Sequence, residues 1–234
     1  MTLEKDRHAL SADEITIPLR LVRLISSQLP VGAFAYSRGL EYASEAGWVG
    51  NEAELRSWLF GTLEHSFAPL DGALFLKMMT ALQDADATEF RRYDDMLLAA
   101  RESAEMALED MRMAASMALL RQELGSDKAV LSDHACQTFP AAFALAVHDM
   151  DVSAEAGLHG LMWALCEGQV AAAIRLGLIG QSAGQRLLAR APTCIAANAK
   201  IAAQTPEDRI GNVSFMVAVS SALHETQYSR LFRS

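Results

Sequence analysis

The chain has 234 residues, 51% of them apolar and 21% charged, and its formal net charge at pH 7 is -9. A chain of this size and composition can bury a large core, and its acidic balance disfavours a nucleic-acid partner, because phosphate binding requires basic side chains. The three cysteines, Cys136, Cys166 and Cys194, are too few and too scattered for a disulfide framework, so they predict a reducing, cytoplasmic location.

Neither a signal peptide nor a membrane span is predicted. Residues 1–15 are polar, lack a basic segment followed by an apolar one, and are expected to be disordered. The most apolar stretch, residues 158–180, contains polar and charged side chains that are costly in lipid. The protein is therefore expected not to bind a membrane.

Helical periodicity dominates residues 16–223, and no stretch alternates apolar and polar residues as a half-buried strand does. Glycine, proline and polar breaks separate the predicted helices, which span residues 16–29, 51–69, 70–83, 88–125, 128–137, 140–148, 153–176, 181–204 and 213–224. With no linker or repeat in the sequence, the prediction is an all-α fold, a single-domain helical bundle of about nine or ten helices.

The longest predicted helix lies between the break at residues 84–88 and Gly125. Its apolar side chains recur at helical spacing and predict one core-facing stripe: Phe90, Leu97, Ala104, Leu108, Met111, Ala115 and Leu119. Its carboxylates are expected to form a solvated face: Glu102, Glu105, Glu109 and Asp110.

Common catalytic signatures are missing. The sequence contains no phosphate loop, dinucleotide fingerprint, nucleophile elbow or HExxH motif, so nucleotide chemistry by this chain is not expected. His134 and Cys136 are the one closely spaced pair of soft ligands, and a metal site there needs further ligands from elsewhere. No metal site is predicted, but a helical metal-dependent enzyme using His134 and Cys136 stays as the alternative function.

Two segments suggest recognition. The first motif, LPVGAFAYSRGLE at residues 29–41, places Phe34 and Tyr36 between a proline and two glycines; the aromatics either pack inward or contact a partner. The C-terminal tail, HETQYSRLFRS at residues 224–234, carries aromatic, leucine and arginine side chains. On a helix His224, Tyr228 and Phe232 would share one stripe with Leu231, which could dock on the protein's own core or on a partner.

These segments resemble the urease accessory protein UreF family. The similarity is carried by residues 29–49, by the second motif IRLGLIGQSAGQRLL at residues 174–188, and most specifically by the tail. It extends over about residues 19–234, although residues 70–165 match loosely. The second motif departs from the family at Gly177-Leu178-Ile179, where members commonly have a proline, and Arg175 stands where they commonly have lysine.

The resemblance implies a homodimeric all-α protein without catalytic activity that acts in GTP-dependent nickel delivery to apo-urease. Its implied partners are UreD, called UreH in some organisms, and the GTPase UreG; nickel and GTP are handled by the partner complex, and no cofactor is expected in the chain itself. The tail and first motif are expected to face UreD, with Glu41 and Arg175 facing UreG. The implied partner-binding residues are Pro30, Gly32, Tyr36, Ser37, Glu41, Arg175, Gln181, Gln185, His224, Glu225, Tyr228, Arg230, Leu231, Phe232 and Arg233.

The prediction divides the chain into a disordered N-terminus (1–15), an all-helical domain (16–223) and a partner-binding tail (224–234). Within that division we expect a scaffold that joins UreD to UreG and modulates nickel insertion. The tail is expected to order on UreD rather than on its own core.

Overall fold

The computed structural model describes residues 17–125 and 136–234. The expected disordered N-terminus, His134 and most of the predicted helix at 128–137 lie outside the described residues. The description begins again at Cys136, where the backbone is not helical.

Within these ranges the chain forms helices joined by turns, and no strand occurs. The α-helices are α1 Leu19–Val22, α2 Leu40–Glu45, α3 Glu52–Thr62, α4 Ala73–Gln83, α5 Ala87–Ala99, α6 Ala104–Glu123, α7 Phe139–Asp149, α8 Ala154–Arg175, α9 Gln181–Leu188, α10 Ala191–Gln204 and α11 Phe215–His224. A π-helix, Leu63–Gly72, joins α3 to α4, and single 3-10 turns lie at Ala33–Ala35 and Glu207–Arg209. The all-α prediction is confirmed.

Helix α8 lies at the centre of the bundle and contacts α1, α2, α3, α4, α7, α9 and α10. Close approach to α4 and α7 depends on Gly157, because a Cβ atom there would lie 2.8 Å from Val147 Cγ1 and 3.0 Å from the Phe75 ring. Phe75 and Phe143 are fully buried, with ring centroids 6.3 Å apart. Burial of such apolar side chains is the main stabilising contribution to the fold.

Two predicted helices differ from the structure: one is much shorter and the other is divided. Of the helix predicted for residues 16–29, only the single turn α1 forms. The helix predicted for 181–204 is interrupted after Leu188, and α10 restarts with Pro192 in its first turn, where a missing N–H is tolerated.

Pro69 does not end its helix, contrary to prediction. The helix continues through Pro69 as the π-helix, whose wider i→i+5 pattern accommodates irregular backbone pairing. The carbonyl of Pro69 accepts a hydrogen bond from Gly211 N at 3.2 Å. The distorted segment also turns Asp71 inward, where the residue is 2% exposed.

The long helix predicted for residues 88–125 is instead two helices, α5 and α6, separated at residues 100–103. Arg101 occupies the break and is buried between two carboxylates: its Nη2 donates to Asp71 Oδ1 at 2.7 Å and its Nε to Asp110 Oδ2 at 2.5 Å. A buried arginine requires such partners, and the break at residues 100–103 places Arg101 between them. After the break, the side chains of α6 point in other directions than a continuous helix would give them.

As a result α6 presents the opposite face from the predicted one. Phe90 and Leu97 of α5 are buried, but the apolar residues of α6 predicted to share their stripe are exposed: Ala104, Leu108, Met111, Ala115 and Leu119. The prediction of a solvated acidic face is wrong for Glu109 and Asp110, which are 6% and 3% exposed. Burial raises the pKa of the Glu109 carboxyl, and nearby Arg38 partly opposes that effect.

No helix in residues 17–125 or 136–234 is long and apolar enough to cross a membrane.

Candidate partner-binding site

The first motif, the end of α8 and the C-terminal tail converge on one side of the bundle. Helix α11 ends at His224, and residues 225–234 follow an irregular path across α2 and α6. The predicted helical stripe is therefore wrong: Phe232 is 5% exposed, whereas Tyr228 is fully exposed and Leu231 is 54% exposed. The tail is ordered on its own chain, so order does not require a partner.

Glu41 holds the backbone of the tail. Its Oε1 accepts a hydrogen bond from Leu231 N at 2.6 Å, and its Oε2 accepts one from Phe232 N at 2.8 Å. Charge-assisted hydrogen bonds of this kind are stronger than neutral ones. They take the place of the bonds that these two N–H groups would make to backbone carbonyls in a helix. Because Glu41 is 7% exposed, the expectation that it faces UreG does not fit this conformation.

His224 lies behind the tail and is fully buried. Its Nε2 is 3.1 Å from Glu41 Oε2, and its Nδ1 is 2.6 Å from Glu105 Oε2. The other oxygen of Glu105 accepts a hydrogen bond from Arg230 Nη1 at 2.5 Å. His224 therefore connects α2 and α6 beneath the tail rather than presenting its ring to a partner.

Ser37 fixes the last residue of the tail. Its backbone N and its Oγ donate to the carbonyl oxygen of Ser234 at 2.7 and 2.6 Å. Gln169 Nε2 in α8 donates to the Ser37 carbonyl at 2.8 Å, and Trp58 Nε1 donates to Gln169 Oε1 at 3.3 Å. This chain of hydrogen bonds links the tail to α3 through the first motif.

Arg175 joins the end of α8 to both segments. Its Nη1 donates to the carbonyl oxygen of Phe34, and its guanidinium stacks over the Phe232 ring with 4.4 Å between Cζ and the ring centroid. A planar guanidinium suits this stacking. Arg233 N donates to the Ala35 carbonyl at 2.8 Å, so the tail and the first motif also pair through their backbones.

The glycines of the first motif shape it. Gly32 and Gly39 have φ of 78° and 79°, in the left-handed region that favours glycine. A Cβ atom on Gly39 would lie 2.3 Å from Ser220 Oγ and 2.9 Å from Ser221 N, so this glycine also permits the close approach of α2 and α11. Tyr36 is 7% exposed, which resolves the choice left open for this side chain in favour of inward packing.

Not every predicted residue belongs to this cluster. Gln181 and Gln185 lie on the exposed face of α9, and Pro30 is exposed at the start of the first motif. Glu225 accepts hydrogen bonds from the N–H groups of Ala104 and Glu105 at the start of α6, at 2.8 and 3.4 Å. The helix dipole stabilises a carboxylate at this position.

The tail and the first motif both carry exposed apolar side chains. Phe34 is 72% exposed, and Tyr228 and Leu231 add further apolar surface beside the cationic side chains of Arg230 and Arg233. Phe34 and Phe232 also line a largely apolar cavity of about 150 Å³. Apolar surface with arginines at its edge is typical of protein-binding sites.

The relationships to known proteins agree with the motifs. A sequence model of the UreF family matches residues 49–191. A curated relative from Brucella anthropi, urease accessory protein UreF 2, is 48% identical over 217 residues, which cover 92% of this chain and 96% of the relative. The urease accessory proteins UreF of Alkalilimnicola ehrlichii and Azoarcus sp. are 40% and 38% identical, each covering 92% of this chain and 95% of their own length.

The chain belongs to the UreF family of urease accessory proteins. The matches to UreF proteins over 92% of the chain agree with the resemblance of the three segments. Within residues 17–125 and 136–234 of this UreF-family chain, no group of three or more histidine, cysteine or acidic side chains could hold a metal ion. His134, one half of the alternative enzyme site, lies outside the described residues. Burial raises the pKa of the neighbouring Cys136 thiol to about 12, which disfavours the thiolate that a metal binds.

Sequence reasoning missed several residues of the UreF-family site. Glu105 was expected on a solvated face, yet it pairs with His224 and Arg230. Gln169 and Glu109 were not predicted as site residues, although Glu109 Oε2 accepts a hydrogen bond from Ser234 Oγ at 2.7 Å. These contacts join residues at least 119 positions apart, and only the orientation of α6 and α8 in the fold brings them together.

Proposed function

We propose that the chain is a non-catalytic scaffold of urease maturation that joins UreD (UreH) to the GTPase UreG and modulates GTP-dependent nickel insertion into apo-urease. In this proposal the protein acts in the cytoplasm as a homodimer. It carries no cofactor of its own, because the partner complex handles nickel and GTP.

This proposal is carried by one observation: the backbone of the tail is bound to the rest of the chain, while several of its side chains stay exposed. Its backbone is held by the buried carboxylate of Glu41, while the side chains of Tyr228 and Leu231, like that of Phe34 in the first motif, remain exposed. A surface whose shape is fixed before binding loses less conformational entropy when a partner binds. We therefore assign the exposed side chains of the tail and the first motif to UreD.

The second motif is the proposed contact for UreG. Gln181 and Gln185 lie on exposed positions of α9, which follows α8 after a short turn. Arg175 ends α8, but its guanidinium already contacts the Phe34 carbonyl and the Phe232 ring. We therefore expect Arg175 to influence UreG mainly by fixing the shape of the tail and first motif.

Co-purification of UreD with the full chain tests the first assignment. Phe34→Ala and Leu231→Ala, combined in one variant, are expected to weaken UreD capture at least tenfold, because a few large side chains carry most of the binding energy of an interface. Phe215→Ala is the matched control, since Phe215 is 73% exposed at the far end of α11 and Phe34 is 72% exposed. Equal capture by the double variant and the control would remove the tail surface from the proposal.

The UreG assignment needs a separate measurement. In the reconstituted complex, Gln181→Ala with Gln185→Ala is expected to reduce UreG binding and alter GTP turnover, while UreD capture stays intact. Gln204→Ala is the control, because Gln204 is also an exposed helical glutamine, on α10. Unchanged UreG binding and turnover would place that contact elsewhere on the chain.

A further inference from the structure

The cavity of about 150 Å³ beside the tail is large enough to hold a small molecule. The segment between α1 and α2, together with α8, supplies most of its wall, and α6, α7 and the tail complete it. Its apolar lining includes Leu24, Leu29, Met113, Leu161, Leu165 and Phe232. An apolar cavity of this volume can admit a benzene ring, so size and lining together favour a ligand with a compact apolar body.

Arg38 also lines the cavity, and its guanidinium lacks a hydrogen-bond acceptor. Its Nε lies 3.8 Å from Glu109 Oε1, which is close enough for an ion pair but too far for a hydrogen bond. Among the residues that the structure describes, no group accepts a hydrogen bond from this guanidinium, although only 20% of the side chain is exposed. A guanidinium has five N–H donors, and burying donors without acceptors is costly. Arg38 therefore offers donors to an acceptor inside the cavity.

The backbone at Arg38 is held in an uncommon conformation. Arg38 has a φ of 53°, and Gly39 follows it with a φ of 79°. The left-handed region suits glycine but is unfavourable for a long side chain. Residues held in such conformations are concentrated at functional sites, including sites that clamp a ligand. The strain at Arg38 therefore supports a binding role, which the scaffold function does not use.

The other charged side chains of the cavity leave Arg38 available to an anion. Arg175 and Asp110 are engaged in the contacts described above. Burial raises the pKa of the Glu109 and Glu167 carboxyls, so both take up a proton more readily than exposed glutamates do. Their opposition to a bound anion is weakened accordingly.

We propose that this cavity binds a small molecule that carries a carboxylate on an apolar body. The carboxylate pairs with the guanidinium of Arg38, whose planar donors match its two oxygens. The apolar body occupies the space lined by Leu161 and Phe232. Because Phe232 belongs to the tail, the ligand contacts the tail as well as the first motif.

Benzoate is the probe, because it joins a carboxylate to a ring of the size that the cavity admits. Calorimetric and NMR titration of the full chain near neutral pH should show one site with a dissociation constant of about 1 mM or tighter. The amide signals of Leu161 and Phe232 should shift on binding. Benzyl alcohol keeps the shape without the charge and benzylamine reverses the charge, so each should bind about tenfold or more weakly.

Substitution of Arg38 tests the charge, and a filled cavity tests the location. Arg38→Met should weaken benzoate binding about tenfold or more but change benzyl alcohol binding by less than about twofold. Arg23→Met is the matched control, because Arg23 is an exposed arginine next to Leu24 that does not line the cavity. Ala164→Leu fills part of the cavity and should abolish binding of both probes, which keeps the test decisive if Arg38→Met fails to fold.

The proposal is overturned if the wild-type chain does not bind benzoate, or if Ala164→Leu binds it as well as the wild type does. Equal benzoate binding by Arg38→Met and Arg23→Met would reject the pairing with Arg38. Stronger binding of benzylamine than of benzoate would also reject the proposal, in favour of a cation site formed by Glu109 and Glu167.

Discussion

His224 Nε2 lies 3.1 Å from Glu41 Oε2, although the two residues are 183 positions apart in the sequence. The same carboxylate accepts hydrogen bonds from two backbone N–H groups of the tail. One buried side chain thus connects α2, the end of α11 and the segment that we assign to UreD.

Removing the Glu41 carboxylate should release the tail. Glu41→Ala leaves His224 and the N–H groups of Leu231 and Phe232 without this acceptor, which should cost about 3 kcal/mol in the free energy of unfolding and abolish hydrogen-exchange protection at both amides. Glu45→Ala is the control, since Glu45 is an exposed carboxylate on the same helix that accepts a hydrogen bond from Gln227. Persistent amide protection in Glu41→Ala would contradict the assigned role.

Lysine at position 175 should hold the tail of this chain less firmly than Arg175 does. Arg175→Lys keeps the charge but loses the planar stack on Phe232, so trypsin should cleave after Arg230 several-fold faster. Arg20→Lys provides the comparison, because Arg20 also donates to a backbone carbonyl, that of Asp151, but lies away from the tail. Similar cleavage rates in the two variants would show that the stack does not hold the tail.

Gly39 and Gly32 form a matched pair for a stability test. Both have left-handed φ, but a Cβ atom on Gly39 would overlap α11, whereas nothing lies within 4 Å of one on Gly32. Gly39→Ala should therefore lower the free energy of unfolding by about 3 kcal/mol and Gly32→Ala by about 1 kcal/mol. Urea denaturation measures both values, and equal losses would rule out the steric contribution.

Glu109 should make stability depend on pH. Burial raises its pKa in the folded state above the ordinary value of 4.5, so the stability contributed by this group is complete below 4.5 and is lost as pH rises through the folded-state pKa. Glu109→Gln should remove that loss, so the variant gains stability relative to the wild type as pH rises. Urea denaturation from about pH 5 to 8 measures the difference, and parallel profiles would refute the prediction.

Local sequence signals predicted much of the fold. Asn51 was expected to start a helix, and its Oδ1 accepts hydrogen bonds from Ala53 N and Glu54 N at 3.0 and 3.1 Å. The breaks at Gly180 and Pro206 also lie between helices. Such capping and turn chemistry depends on neighbouring residues, so the sequence displays it directly.

Errors arose where distant contacts override local pattern. The stripe from Phe90 to Leu119 has good helical spacing, yet the pairing of Arg101 with Asp71 and Asp110 divides it. Periodicity cannot reveal a buried ion pair between separate segments. The prediction of a helical tail failed for the same reason, because the Glu41 carboxylate on α2 binds the N–H groups of Leu231 and Phe232.

The tail site was predicted as a set of residues but not as an arrangement. Glu41, His224 and Phe232 were each named as partner-binding residues, but Glu41 was assigned to UreG and the tail to UreD, and the motifs did not distinguish buried residues from exposed ones. That distinction follows from which backbone groups need partners in the folded chain.

Glu41 grips the main chain of residues 231 and 232 rather than their side chains. The route of the tail is therefore encoded separately from the chemistry that it displays outward. Because these hydrogen bonds involve only the backbone, substitutions of the exposed Leu231 side chain can change affinity or partner choice without changing the path of the tail.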